Sequence, residues 1–259
     1  MNRVTSRDGT VITFDQLGEG PVVILVSGGS VDKGSNAGLA ELLASHFTVY
    51  NYDRRGRGES GDTQPYAVER EIEDIQALIE EAGGSAFLFG SSSGAALALD
   101  AAASGLSITK LALWEPPYIL DGSRPPPPAN TAATYTKLVA AGKRGDAVEY
   151  FMTQVVGLPA EFAAHARNAP WWPAQEALAH TLAYDATIMG DYSLPAERAA
   201  SVTTPTLVMV GGASFEWMSD TAQALADILP NGQRRTLEGQ THDVSPQAMA
   251  PMLVEFFTS

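Results

Sequence analysis

Short, unbroken apolar runs alternate along this chain with longer stretches in which apolar residues recur every three or four positions. Residues 22–26 (Val-Val-Ile-Leu-Val), 47–52 (Phe-Thr-Val-Tyr-Asn-Tyr), 86–89 (Ala-Phe-Leu-Phe), 109–114 (Thr-Lys-Leu-Ala-Leu-Trp) and 205–210 (Pro-Thr-Leu-Val-Met-Val) make up the first group. Runs of this length, rich in β-branched and aromatic residues, predict strands, and the unbroken ones predict strands covered on both faces. In the second group, Ile72, Ile75, Leu78 and Ile79 recur at helical spacing among acidic residues across 66–82. Residues 36–46, 95–103 and 217–229 likewise read as helices. A short strand over 234–237 and a helix opened by Pro246 end the pattern. At its start, Val4-Thr5 and Val11-Ile12-Thr13-Phe14 flank Asp8-Gly9, which predicts an antiparallel hairpin. Strands alternating with helices of these lengths predict an α/β fold with a doubly wound, mostly parallel sheet.

The alternation stops between Tyr118 and about Arg198, where no strand fits. Arg124 and four following prolines form a stiff lead-in, helices are predicted near 129–141 and 146–156, and a third long helical segment follows Trp171-Trp172-Pro173. We read 118–198 as a helical cap inserted into a core formed by 1–117 and 199–259, lying over the carboxyl ends of the strands. On that reading Trp171, Trp172, Tyr184 and Met189 wall a substrate pocket, the competing expectation for each aromatic being burial inside the cap.

Composition narrows the partners. A chain of 259 residues can bury a sizeable core, and 30 acidic against 16 basic residues give a net charge of −14, which opposes binding to nucleic acid or to anionic membranes. There is no cysteine, so disulfides and thiolate metal sites are excluded. No apolar leader follows Met1-Asn2-Arg3 and no run reaches the length of a membrane span, so the expectation is a soluble, cytoplasmic protein acting on a small molecule without metal or cofactor. Oligomeric state leaves no trace in the sequence.

The candidate chemistry sits at the ends of the predicted strands, where ligands of doubly wound sheets bind. Gly90-Ser91-Ser92-Ser93-Gly94 joins a buried strand to an alanine-rich helix. In this GxSxG pattern the glycines permit a sharp turn that presents the central residue, Ser92, with its hydroxyl exposed; a flexible Gly/Ser linker would not be flanked by two buried elements. Ser27-Gly28-Gly29-Ser30 follows another strand, either as half of an oxyanion hole or as an ordinary turn. Arg54, Arg55 and Arg57 beside Asp53 suggest a phosphate or substrate clamp or, the reading we prefer, an ion and hydrogen-bond network that fixes a glycine-rich turn. Of the four histidines, His46, His165 and His180 fall on helices or at a helix end, and only His242 lies in a loop after a sheet strand.

Taken together, Val26-Ser27-Gly28-Gly29, the stretch from Tyr52 to Ser60, Gly90 to Gly94, Trp114-Glu115-Pro116-Pro117 and Gly239-Gln240-Thr241-His242 stand in the order of an α/β hydrolase, which the chain resembles over essentially its whole length. The resemblance implies Ser92 as nucleophile, His242 as base, and an oxyanion hole from the backbone N–H groups of Ser93 and the Gly29 region. Two departures stand out. Ser27 occupies a position where many members carry histidine, and the corner after 207–210, where the family usually places its acid, reads Gly211-Gly212-Ala213-Ser214. Among Glu115, Glu216, Asp191 and Asp243, Glu115 is best placed, since some haloalkane dehalogenases of the superfamily carry their acid at that corner; the alternative for Glu115 is a purely structural hydrogen bond. The implied activity is hydrolysis of an ester, thioester or lactone through an acyl-enzyme. A lyase or cyclase using the same pocket, and a catalytically silent ligand-binding homologue, are the alternatives.

Overall fold

In the computed structural model, which describes residues 1–259, all the predicted strands join one eight-stranded sheet. β1 (Asn2–Thr5) and β2 (Val11–Leu17) pair antiparallel at one edge, and β2 pairs antiparallel with β4 (Thr48–Tyr52). From β4 the ladder is parallel through β3 (Val22–Val26), β5 (Ala86–Ser91), β6 (Ile108–Trp114), β7 (Thr206–Gly211) and β8 (Gly232–Leu237). The spatial order β1-β2-β4-β3-β5-β6-β7-β8 reverses direction between β3 and β5. A crevice opens at such a reversal, outside the carboxyl ends of the strands.

The pleat sorts each central strand onto two cores. Ile24, Val26, Leu88, Leu113, Val208 and Val210 face a cluster shared with α2 (Val68–Glu81), α3 (Ser93–Ala103) and α10 (Glu216–Ile228), helix numbers following chain order. Val23, Leu25, Val49, Phe89, Trp114 and Met209 face α1 (Ala37–Leu43) and α11 (Pro246–Thr258) on the other side. Successive side chains point to opposite faces, and both faces are covered, so these strands carry no polar alternation. Each such aliphatic or aromatic side chain contributes about 1.5–3 kcal/mol of burial.

Between β6 and β7 the chain makes α4 (Thr131–Ala140), α5 (Arg144–Tyr150), a π-helical turn over Phe151–Val156, α6 (Ala160–Ala166), α7 (Trp172–Leu178), α8 (Leu182–Met189) and α9 (Ala196–Ser201). Its only β pairing is an isolated bridge between Ile119 and Ser193. The third helical segment expected after Trp171 is broken by a 3-10 turn over Ala179–Thr181, and α6 carries His165 on a helix, as expected. The insert has its own core of Tyr135, Val148, Met152, Trp172, Leu182 and Ala186. Yet α8 also gives Ile188 and Met189 to the sheet's core, and Ala199 of α9 lies there too, so the insert is joined to the sheet by packing at its carboxyl-terminal end. No helix is long and apolar enough to cross a membrane.

Candidate active site

β5 runs directly into α3 through Ser92, whose φ of 56° and ψ of −126° lie in a region that only glycine enters freely. The strain is held by its surroundings. Ser92 N–H donates to Trp114 C=O at 2.8 Å, and Ser92 C=O accepts from Ala95 N–H at 2.9 Å. A Cβ on Gly90 would lie 2.4 Å from Gly94 O, and one on Gly94 would lie 2.4 Å from Ser27 O. Both glycines are therefore fixed by close approach of backbone, which a linker would not require. Ser92 lines a cavity of about 450 Å³ at the crevice between β3 and β5.

His242 lines the same cavity from the loop after β8. Its Nδ1 lies 2.6 Å from Glu115 Oε2, and its backbone carbonyl accepts from Trp114 Nε1 at 3.0 Å. Glu115 ends β6, is 1% exposed and holds an unusual φ of 42°. Its other oxygen, Oε1, accepts the backbone N–H of Gly211 at 2.8 Å. The two readings of Glu115, partner of the histidine and structural hydrogen bond, are thus realised together, one per oxygen. A carboxylate accepting at Nδ1 fixes the proton there and leaves Nε2 with its lone pair.

The corner after β7 carries no acid, and its first position is closed to any side chain. A Cβ on Gly211 would come within 2.2 Å of Gln240 O, and Gly212 and Ala213 donate to Leu237 and Gln240 carbonyls. The remaining candidates go elsewhere. Asp191 accepts from Ser193 N–H and Oγ within its own exposed turn, Glu216 is exposed in the first turn of α10, and Asp243 lines the cavity beside His242 without bonding its ring.

The arginines form a buried ion network. Arg54 pairs in a fork with Glu71, Arg55 with Asp74 and Asp8, and Arg57 with both oxygens of Asp185; each arginine is at most 1% exposed. Arg54 also donates to Asp185 and to Ser27 C=O, and Arg57 donates to Val31 C=O and, in a short contact, to Gly28 C=O. In a trans peptide the C=O and the next N–H point opposite ways, so fixing the Gly28 carbonyl on the arginine side turns Gly29 N–H away from it. No backbone carbonyl takes the N–H of Gly29. A Cβ on Gly28 would approach Ser92 Cβ to 3.2 Å, which places this loop directly against the elbow.

Asp185, on α8, went unnoticed in the sequence. It accepts from Ser93 Oγ at 2.8 Å as well as from the two arginines, linking the insert to the residue after Ser92. Burial alone would push its carboxyl up, but the charges of Arg57 and Arg54 and the Ser93 hydrogen bond hold it below the usual carboxylate range. Gln175 of α7 makes a second link, exchanging hydrogen bonds with Ser30 Oγ at 2.5 Å and Ser30 C=O at 3.1 Å. The signal for Asp185 was available: three buried arginines demand carboxylates, and Asp185 is the lone charge in α8. Asn36, also on the cavity wall, is buried with Nδ2 left without an acceptor.

Of the four expected pocket residues, only Met189 lines the cavity. Trp172 is buried in the insert's own core beneath Arg167, and Trp171 is 45% exposed on the surface. Tyr184 points the other way: its hydroxyl bonds Asp62 at 2.8 Å and Gln64 at 2.5 Å, and its ring stacks on Tyr66 at 4.0 Å. The reason is helical spacing. Asp185 and Met189 are four apart and share the cavity face of α8, whereas Tyr184 precedes that face. The aromatic wall is supplied instead by Phe89, Phe151, Tyr192, Phe215 and Trp217.

This architecture recurs in known proteins. The chain matches the model of the alpha/beta hydrolase family over residues 23–253. It is similar to a solved alpha/beta hydrolase from Sphaerobacter thermophilus DSM 20745, 58% identical, covering 99% of this chain and 100% of that one with a TM-score of 0.93. A thermophilic esterase from Thermogutta terrifontis shares the fold at 23% identity, covering 99% of this chain and 97% of that one, with a TM-score of 0.75. The Uncharacterized hydrolase YraK of Bacillus subtilis (strain 168) is 38% identical over 96 residues, so the match spans 36% of this chain and about a third, 35%, of that relative's length. The match to the family model runs across nearly the whole sheet and the insert, and the chain belongs to the alpha/beta hydrolase family.

Proposed function

We propose that the protein is a serine hydrolase that cleaves an ester, thioester or lactone of a small molecule through an acyl-enzyme. The observation that carries this reading is the 2.6 Å contact between His242 Nδ1 and Glu115 Oε2, with His242 and Ser92 on the wall of one cavity. Ser92 Oγ attacks the carbonyl carbon while His242 Nε2 takes its proton, and Glu115 holds the ring in the required tautomer and stabilises the imidazolium. The N–H groups of Gly29 and Ser93 receive the oxyanion of the tetrahedral intermediate. His242 then returns the proton to the leaving group and takes one from the water that hydrolyses the acyl-enzyme. The corner after β7 carries no acid, and the contact of Glu115 with the ring, made from the end of β6, supports the catalytic reading over a silent homologue.

The test is labelling with a serine-reactive fluorophosphonate. One adduct on the peptide containing Ser92, lost in Ser92→Ala and accompanied by loss of ester hydrolysis, is the expected result. Labelling elsewhere, or full turnover in Ser92→Ala with contaminating esterase excluded, would overturn it.

A further inference from the structure

Every deeply buried arginine of this chain faces a carboxylate, but one half-buried arginine on the cavity wall does not. Arg54, Arg55 and Arg57 each pair with acids at 2.7–3.0 Å. Arg124, half-buried in the segment that leads into α4, forms no ion pair and is the only lysine or arginine that lines the cavity of Ser92 and His242. In a chain with 30 acidic and 16 basic residues, an arginine left without an acid in a partly desolvated site is unusual. Burial lowers its pKa, the sign of a cation whose desolvation the protein itself does not offset.

The guanidinium is nevertheless held in place. Its Cζ stacks 5.0 Å over the Trp217 ring, and Nη2 donates to Val155 C=O at 2.9 Å, which leaves Nε and Nη1 free of protein acceptors. Stacking fixes the plane of the fork without using its donors. Tyr192 is also on the wall, and its hydroxyl has no partner among the hydrogen bonds. The two acids on the wall do not supply the missing partner: Asp185 is taken by Arg54, Arg57 and Ser93, and Asp243 is beside His242.

Resting on the hydrolase reading above, we propose that Arg124, backed by Tyr192, binds a carboxylate carried by the substrate, so that the preferred substrate is a half-ester of a dicarboxylic acid or a comparable carboxylate-bearing ester. A carboxylate matches a fork with one donor already spent. A phosphate dianion would need further cations, and the wall offers none.

The experiment compares matched p-nitrophenyl esters, the half-esters of succinic, glutaric and adipic acid against neutral acyl esters of equal length, in wild type, Arg124→Gln and Arg124→Lys. The readout is the ratio of kcat/KM for half-ester to neutral ester, which cancels any general loss of active protein. We expect the ratio to exceed one in wild type for at least one chain length, to fall about tenfold to a hundredfold in Arg124→Gln, and to recover in part in Arg124→Lys. Raised ionic strength should lower the ratio in wild type and in Arg124→Lys but not in Arg124→Gln. A ratio unchanged by Arg124→Gln overturns the proposal and makes Arg124 a structural clip between Trp217 and Val155. Calorimetric binding of monomethyl glutarate to Ser92→Ala, with and without Arg124→Gln, separates the two readings. Arg124-dependent binding without hydrolysis by wild type upholds the subsite and sinks the hydrolase. Hydrolysis of neutral esters with no Arg124-dependent binding does the reverse.

Discussion

The elbow end of the sheet and the helical insert border the same cavity but are built by different rules. Around Ser92 the geometry is set by backbone: a strained φ at Ser92, another at Glu115, and glycines at 90, 94 and 211 where any Cβ would strike a neighbouring chain segment. The insert reaches the cavity through side chains instead, with Asp185, Gln175, Met189 and Arg124 supplying links and wall. Backbone placement tolerates almost no substitution, and so it writes itself into recognisable short motifs. Side-chain placement depends on which face of a helix turns inward, and many sequences satisfy it.

The sharpest way to break this comparison is at the nucleophile. Ser92→Ala should reduce ester turnover by at least about 10⁴-fold, while Ser91→Ala, one residue away, should leave most of it. Comparable turnover in both variants, measured with a p-nitrophenyl ester, would remove the privilege we assign to the elbow. Glu115→Gln comes next. Loss of the charge at Nδ1 should lower kcat by up to about 10⁴-fold, and loss of one charged partner of Gly211 N–H should cost about 1–3 kcal/mol in a denaturant melt. A stability loss with undiminished kcat per folded molecule would leave only the structural half of Glu115.

Asp185→Asn probes the seam between the two regions. Removing one charge from a buried arginine pair should destabilise by about 3–5 kcal/mol at neutral pH. Because the folded state holds this carboxyl below its ordinary 3.8, its contribution is complete above that pH and is lost as the pH falls through the lowered folded value. Wild type should therefore lose stability on acidification below about pH 4 through this group, and the Asn variant should lack that component. Equal melts for the two proteins at pH 7 would mean that the charge of Asp185 does not help to hold the insert. The smallest effect belongs to Trp171→Ala on the insert's surface, expected within about 0.5 kcal/mol of wild type and without change in KM. A clear rise in KM would return Trp171 to the pocket.

The same contrast explains what the chain disclosed before its structure. Strands 22–26, 86–91 and 206–211 were readable because burial on both faces demands unbroken apolar runs. Ser92, His242 and Glu115 were found at strand ends because the turn chemistry and the doubly wound pattern confine them there. Trp171, Trp172 and Tyr184 were misplaced because aromatic character does not say which side of a short helix faces the cavity, and the break of α7 from α8 at 179–181 resets the helical phase. Asp185 and Arg124 were missed for a different reason. Each gains meaning only from what stands opposite, three arginines in one case and no acid at all in the other.

The Gly211 amide, held by the second oxygen of Glu115, has a use beyond geometry. Glycine amides resonate in a sparsely populated region of a nitrogen–proton correlation spectrum, and this one hydrogen-bonds the carboxylate that touches His242. Any change in how charge is shared between that carboxylate and the imidazole alters the pull on its hydrogen. The protein thus carries a native spectroscopic probe beside its histidine, separated from the ring by one carboxylate and readable without labelling the side chains that would do the chemistry.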